Sequence, residues 1–170
     1  MNLKEKIAEI PDFPKKGILF RDISPLLRDP SALSLVVDEF AKFYHSNEID
    51  VFAGIESRGF PLACALALRY NKGMIMIRKQ GKLPGVTEKI SYNIEYGSAT
   101  MEIQNDAIKK GQRVLICDDL LATGGTAKAA ARLVEKIGGI VTGFAFIIEL
   151  MDLRGSNEIK KYRHKSLVKY

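Results

Sequence analysis

The chain has 170 residues, about one domain's worth when domains run roughly 100–200 residues. Hydrophobic residues make up 46 % and charged residues 27 %, a globular balance that excludes a disordered or fibrous protein. Lys and Arg outnumber Asp and Glu by 26 to 20, and the net charge of +6 leaves three readings: nucleic acid, an anionic small substrate, or no charged partner. The longest apolar runs, 63–68 and 144–148, fall far short of the ~20 residues that span a bilayer, so no membrane partner is expected. Lys4, Glu5, Lys6 and Glu9 argue against a secretory signal in the first ten residues. Cys64 and Cys117 cannot build a disulfide framework and both read as lying in apolar surroundings, so a reduced, cytoplasmic setting is expected.

Taken in chain order, an amphipathic helix is predicted over 31–44, with Asp29-Pro30 or Ser31 as its start signal. A buried strand follows at 49–55, a helix at 60–70 and a second strand at 73–77. Between Arg78 and Gly97 lies a polar stretch with Gly81, Pro84 and Gly85. About 20 weakly patterned residues inside a compact domain suggest a functional lid, over which Lys79, Lys82 and Lys89 would carry positive charge. A strand at 113–117, a helix at 126–137 and a strand at 140–150 complete the pattern. Strand–helix–strand repeated in this way predicts an α/β fold with a mainly parallel sheet. The basic cluster Lys160, Lys161, Arg163 and Lys165 reads as a solvated tail, and without aromatic–basic alternation no nucleic-acid partner is expected. His45 and His164 are isolated and expected at the surface.

Chemistry concentrates in VLICDDLLATGGT, residues 114–126. A buried strand ends in two adjacent carboxylates, Asp118 and Asp119, then passes through a short Thr/Gly loop into a helix. In open α/β sheets ligands sit at the carboxyl ends of strands. Ala122, Thr123, Gly124, Gly125 and Thr126 offer free backbone N–H groups, two hydroxyls and a helix N-terminus, the parts of a phosphate monoester site. Two carboxylates beside a phosphate repel it, so the ligand must also bring hydroxyls or a divalent metal. A sugar phosphate meets both demands. Neither G-x-x-x-x-G-K-[ST] nor a strand-following G-x-G-x-x-G occurs, which excludes the two commonest nucleotide loops.

This segment resembles the ribose-phosphate motif of type I phosphoribosyltransferases. The likeness extends to the adenine phosphoribosyltransferases through FPKKGILFRDISPLLRDP (13–30), GIESRGF (54–60), RKQGKLPG (78–85) and SYNIEYG (91–97). The resemblance implies a single domain over 1–170 with the type I fold: a mainly parallel sheet flanked by helices, a small hood from about 1–30 plus the C-terminal segment, and a flexible lid loop at about 79–97. It implies that adenine displaces pyrophosphate from 5-phosphoribosyl-1-pyrophosphate to give AMP, with Mg²⁺ as cofactor, in a homodimer. Asp118 and Asp119 would bind the ribose hydroxyls, directly or through Mg²⁺-bound water, and the loop from Ala122 to Thr126 the 5′-phosphate. Arg58, after Glu56 and Ser57, would grip the pyrophosphate, joined by Arg78, Lys79 and Lys82, partly from a neighbouring subunit. Phe20 would stack on adenine, the backbone around Leu19 and Arg21 would read its edge, and Leu150 would close the far face. Glu95 would serve proton transfer and Tyr96 the closed lid. Glu56 departs from the family's frequent Asp, and the lid residues Thr87 to Ile90 also differ. Two further functions fit less well: a 6-oxopurine enzyme would want a lysine beside the base, and a phosphoribosyl-pyrophosphate-sensing regulator of nucleic acid would usually carry another domain.

Overall fold

A computed structural model describes residues 1–94 and 97–170. After a short 3₁₀ turn at Leu3–Lys6, strands β1 (Ala8–Pro11) and β2 (Leu19–Asp22) pair antiparallel, Ala8 opposite Asp22, as a small separate sheet. Helix α1 (Ser24–Arg28) follows at once. Helix α2 (Pro30–Phe43) begins where Asp29 accepts hydrogen bonds from the N–H groups of Ser31 (2.9 Å) and Ala32 (3.2 Å), with Pro30 at the first turn. Its buried residues, Ala32, Val36, Val37 and Phe40, form one helical stripe.

Strand β3 (Val51–Ile55), helix α3 (Gly59–Tyr70) and strand β4 (Gly73–Lys79) make the first crossover unit. Strands β5 (Thr87–Ile94) and β6 (Gly97–Gln104) form an antiparallel hairpin. Strand β7 (Arg113–Leu121), helix α4 (Gly125–Lys136) and strand β8 (Ile140–Glu149) make the second crossover, and β9 (His164–Lys169) closes the sheet. The order is β5-β6-β4-β3-β7-β8-β9, with every pair from β4 to β9 parallel and the hairpin antiparallel. Alternate side chains of β7 and β8 serve two cores. Leu115, Cys117, Ala145 and Ile147 pack with α2 and α3, whereas Val114, Ile116, Phe144 and Phe146 pack with α4. No helix among the described residues is long and apolar enough to cross a membrane.

Three expectations change. Most of the polar stretch after Arg78 is strand: β5 pairs with β6 over its whole length, leaving only 80–86 as loop among the described residues. The basic tail is built into the fold, for β9 pairs with β8, while Arg163 donates to Glu48 (3.1 Å) and the Phe43 carbonyl and lies over both Phe43 and Tyr44. The C-terminal segment thus joins the main sheet and also meets the hood, along the N-terminal 3₁₀ turn and at Tyr170, on which Arg21 stacks at 3.8 Å. Cys64 is exposed rather than packed among apolar groups, because it sits on the outer face of α3.

Candidate active site

The chain runs from β3 to β4 on one side of the sheet and later returns to add β7 on the other, so strand order reverses between β3 and β7. At such a reversal the helices leave on opposite faces and a crevice opens beyond the strand ends. A cavity of about 400 Å³ lies there. Glu56, Ser57 and Arg58 line it from the loop after β3, and the Glu56–Ser57 peptide is cis. Asp118 and Asp119 enter from β7, which runs on past them to Leu121. Ala122, Thr123, Gly124 and Thr126 supply the third wall, with Gly125 opening α4 beside them.

Two glycines make the crevice possible. A Cβ at Gly59 would strike the Cys117 carbonyl and lie 3.1 Å from Asp118 Cα, so only glycine lets the start of α3 close on β7. Gly124 holds φ at +86°, in the left-handed region, and any Cβ there would run into the Gly155 carbonyl. The 3₁₀ turn at Gly155–Ile159 thus backs the loop, and Lys128 pairs with Glu158 across it at 2.7 Å.

The carboxylates differ in environment. Asp119 is 3 % exposed and accepts a hydrogen bond from Arg58 Nε at 2.5 Å. Asp118 Oδ1 accepts the Asp119 N–H at 2.9 Å. Burial first, then the neighbouring Asp119 charge, push the Asp118 carboxyl well above the ordinary aspartate range. The Arg58 guanidinium also lies 4.7 Å from the Phe20 ring, which ties the hood to the cavity.

Glu56 fastens the far rim. Its Oε1 accepts from Arg78 Nη2 at 3.0 Å and its Oε2 from the Lys79 N–H at 2.9 Å. Burial works to raise this carboxyl, but the Arg78 and Lys79 bonds outweigh it and hold it below the ordinary glutamate range. The Glu56 side chain thus reaches across to the end of β4. Arg78 Nη1 donates to the Lys82 carbonyl at 3.1 Å, closing the turn. Of the three basic residues expected on the pyrophosphate, Lys79 lines the cavity, whereas the Arg78 guanidinium braces the rim and the Lys82 side chain lies outside the lining.

On the adenine side, Phe20 reaches the cavity through Arg58. The exposed Leu19 side chain, Arg21, which pairs with Glu9, and Leu150, packed on the α2–α3 core, do not line it. Glu95 and Tyr96 lie outside the described residues. Glu102 carried no expected role, yet its buried carboxylate accepts the N–H groups of Lys82 (3.1 Å) and Leu83 (2.9 Å) and the Thr87 hydroxyl (3.2 Å). A carboxylate between Met101 and Ile103 in a strand is the sequence signal that would have marked it. Tyr92, also without an expected role, lines the cavity from the hairpin.

Among the described residues no three His, Cys, Asp or Glu side chains converge as a metal cage. Two adjacent carboxylates, one of them salt-bridged, fit a hydrated divalent ion that arrives on substrate phosphates.

A phosphoribosyl transferase domain model matches residues 27–169. An adenine phosphoribosyltransferase of Nitrosopumilus maritimus is 72 % identical over 170 residues, covering 100 % of both chains. The crystal structure of adenine phosphoribosyltransferase from Thermoanaerobacter pseudethanolicus superposes with a TM-score of 0.95 at 46 % identity, covering 99 % of this chain and 98 % of that one. That from Saccharomyces cerevisiae, complexed with an imino-altritol bisphosphate and adenine, gives 0.91 at 39 % identity over 97 % and 96 %. With its phosphate loop, paired carboxylates and switch-point crevice, the chain belongs to the adenine phosphoribosyltransferases of the phosphoribosyl transferase family.

Proposed function

We infer that the protein transfers the 5-phosphoribosyl group of 5-phosphoribosyl-1-pyrophosphate to adenine, giving AMP and pyrophosphate in purine salvage. One observation carries this reading: a phosphate-binding loop and two carboxylates share one crevice at the strand-order reversal. The loop from Ala122 to Thr126 takes the 5′-phosphate on its N–H groups and hydroxyls. Asp118 and Asp119 accept hydrogen bonds from the ribose 2′- and 3′-hydroxyls. Arg58, Lys79 and the Glu56–Ser57 loop face the pyrophosphate, with Arg78 and Lys82 shaping the rim.

Adenine N9 attacks C1′ as the C1′–O bond breaks, and pyrophosphate leaves with the electron pair. Positive charge grows on the ribose and negative charge on the leaving oxygen, where fixed cations stabilise it most. Asp118 and Asp119 would hold a Mg²⁺ ion that arrives on the phosphates, and the ion would supply further neutralisation of the leaving oxygen. Phe20 stacks on the base, the backbone around Leu19 and Arg21 reads its edge, and Leu150 closes the far face. Glu95 takes up the N9 proton, and Tyr96 belongs to the lid, which excludes water from the reacting centre.

The hood at 1–30 and the lid at 79–97 act within one domain. A homodimer is supported by an outward apolar stripe on α3, Pro61, Cys64 and Leu68 at helical spacing, with Leu68 78 % exposed, beside exposed Met76 of β4. A cytoplasmic setting suits an exposed free thiol at Cys64. Titration of AMP into the wild type and into Asp118→Asn/Asp119→Asn tests the site. The double variant should bind AMP at least about 100-fold more weakly while keeping its fold, two charge-assisted contacts being worth roughly 1.5–3 kcal/mol each. Unchanged AMP affinity would remove the ribose assignment.

A further inference from the structure

The hairpin touches the phosphate loop at one polar point. Tyr92 of β5 brings its hydroxyl to 3.3 Å from Thr126 Oγ1, and both residues line the cavity. The backbone of the same strand lies against the start of α4. A Cβ built at Gly125 would stand 3.5 Å from the Asn93 carbonyl oxygen and 3.7 Å from the Tyr92 ring. The ring itself packs with the α4 side of the core, so the phenol is held, not free, at the loop.

We propose that the Tyr92 hydroxyl is a further ligand of the 5′-phosphate, supplied by the hairpin. The proposal rests on the phosphate-loop reading above and deepens it. Two hydroxyls that face each other at 3.3 Å share one weak hydrogen bond, in which one must act as acceptor. A phosphate oxygen is a charged and stronger acceptor than either hydroxyl. Placed against Thr126, it receives both O–H donors, and the Tyr92–Thr126 contact gives way to two charge-assisted bonds. The 5′-phosphate then bridges α4 and β5, and its occupancy holds the hairpin against the loop. A substrate or product lacking the phosphate makes neither bond.

Tyr92→Phe removes only the hydroxyl and keeps the ring on Gly125 and the core. Calorimetric titration of AMP and of adenosine, into wild type and variant, reads the effect as a ratio. AMP affinity should fall about tenfold, the loss of one hydrogen bond to a charged group, while adenosine affinity and the ligand-free thermal midpoint stay where they were. An unchanged AMP-to-adenosine ratio in Tyr92→Phe would overturn the proposal, whether both affinities hold or both fall together. If the wild type binds AMP no tighter than adenosine, the phosphate-loop reading itself fails and takes this inference with it.

Discussion

Asp118→Asn should separate function from stability. The asparagine keeps an oxygen where Oδ1 accepts the Asp119 N–H at 2.9 Å, so the local backbone bond survives. It removes a carboxylate whose ionisation is opposed by burial and then by Asp119. The folded-state pKa lies above the ordinary aspartate value of 3.8, so the native state binds more protons than the unfolded one between 3.8 and that raised value. Native stability therefore falls as pH rises through this window, and the substitution removes the decline. At pH 7 the variant should be as stable as the wild type or more so. Catalysis should move the other way. One charge-assisted bond to a ribose hydroxyl is worth roughly 1.5–3 kcal/mol, which is about 10- to 150-fold in kcat/KM for phosphoribosyl pyrophosphate. Urea unfolding at several pH values, paired with initial rates at low phosphoribosyl pyrophosphate, measures both. A stability loss above about 1 kcal/mol, or near-native kcat/KM, would refute the reasoning.

Gly155→Ala places a Cβ against the Ala122 carbonyl and 2.9 Å from the Gly124 nitrogen, so the phosphate loop must shift; AMP affinity should drop more than adenosine affinity, with about 1–3 kcal/mol lost in urea unfolding. Glu102→Ala orphans the Leu83 N–H, leaves the Lys82 N–H only its 3.3 Å bond to the Lys79 carbonyl, and should cost about 1–3 kcal/mol. Burial opposes the Glu102 charge, but bonds from Leu83, Thr87 and Lys82 outweigh it and lower its pKa below 4.5, so its stabilisation is present above 4.5 and lost as pH falls through the lowered value; acid unfolding profiles of wild type and variant should converge there. Glu95→Gln should slow single-turnover chemistry at least about tenfold while leaving phosphoribosyl pyrophosphate affinity and the thermal midpoint unchanged; equal single-turnover rates would reduce Glu95 to a cover of the site.

Contiguity along the chain decides which features are legible in the sequence. From Asp118 to Thr126 the strand end, carboxylates, loop and helix start follow one another, so periodicity and loop chemistry together mark the site. The β3–α3–β4 crossover is legible for the same reason, its apolar residues being buried on continuous runs. The two edges of the sheet are not. Strand β5 carries Lys89, Ser91 and Asn93 outward with only Ile90 and Tyr92 packed within, and β9 buries just Ser166 and Val168, too few apolar positions for a strand pattern. Met101 and Ile103 mark Glu102 as a buried carboxylate, but the partners of Glu102 and Tyr92 are not legible, because they lie 15 to 34 residues away and meet them only after the hairpin folds. For Arg78 the resemblance implies a pyrophosphate contact, and its bonds to Glu56 and the Lys82 carbonyl, formed across 22 and 4 residues, are not legible in the sequence.

Incubation of the protein with 5-phosphoribosyl-1-pyrophosphate, Mg²⁺ and each of adenine, hypoxanthine, guanine and xanthine, followed by chromatography of the nucleotides and assay of released pyrophosphate, tests the proposed reaction most directly. Adenine should give AMP and pyrophosphate in equal amounts, and the 6-oxopurines little product. Product from a 6-oxopurine with none from adenine would contradict the proposed reaction.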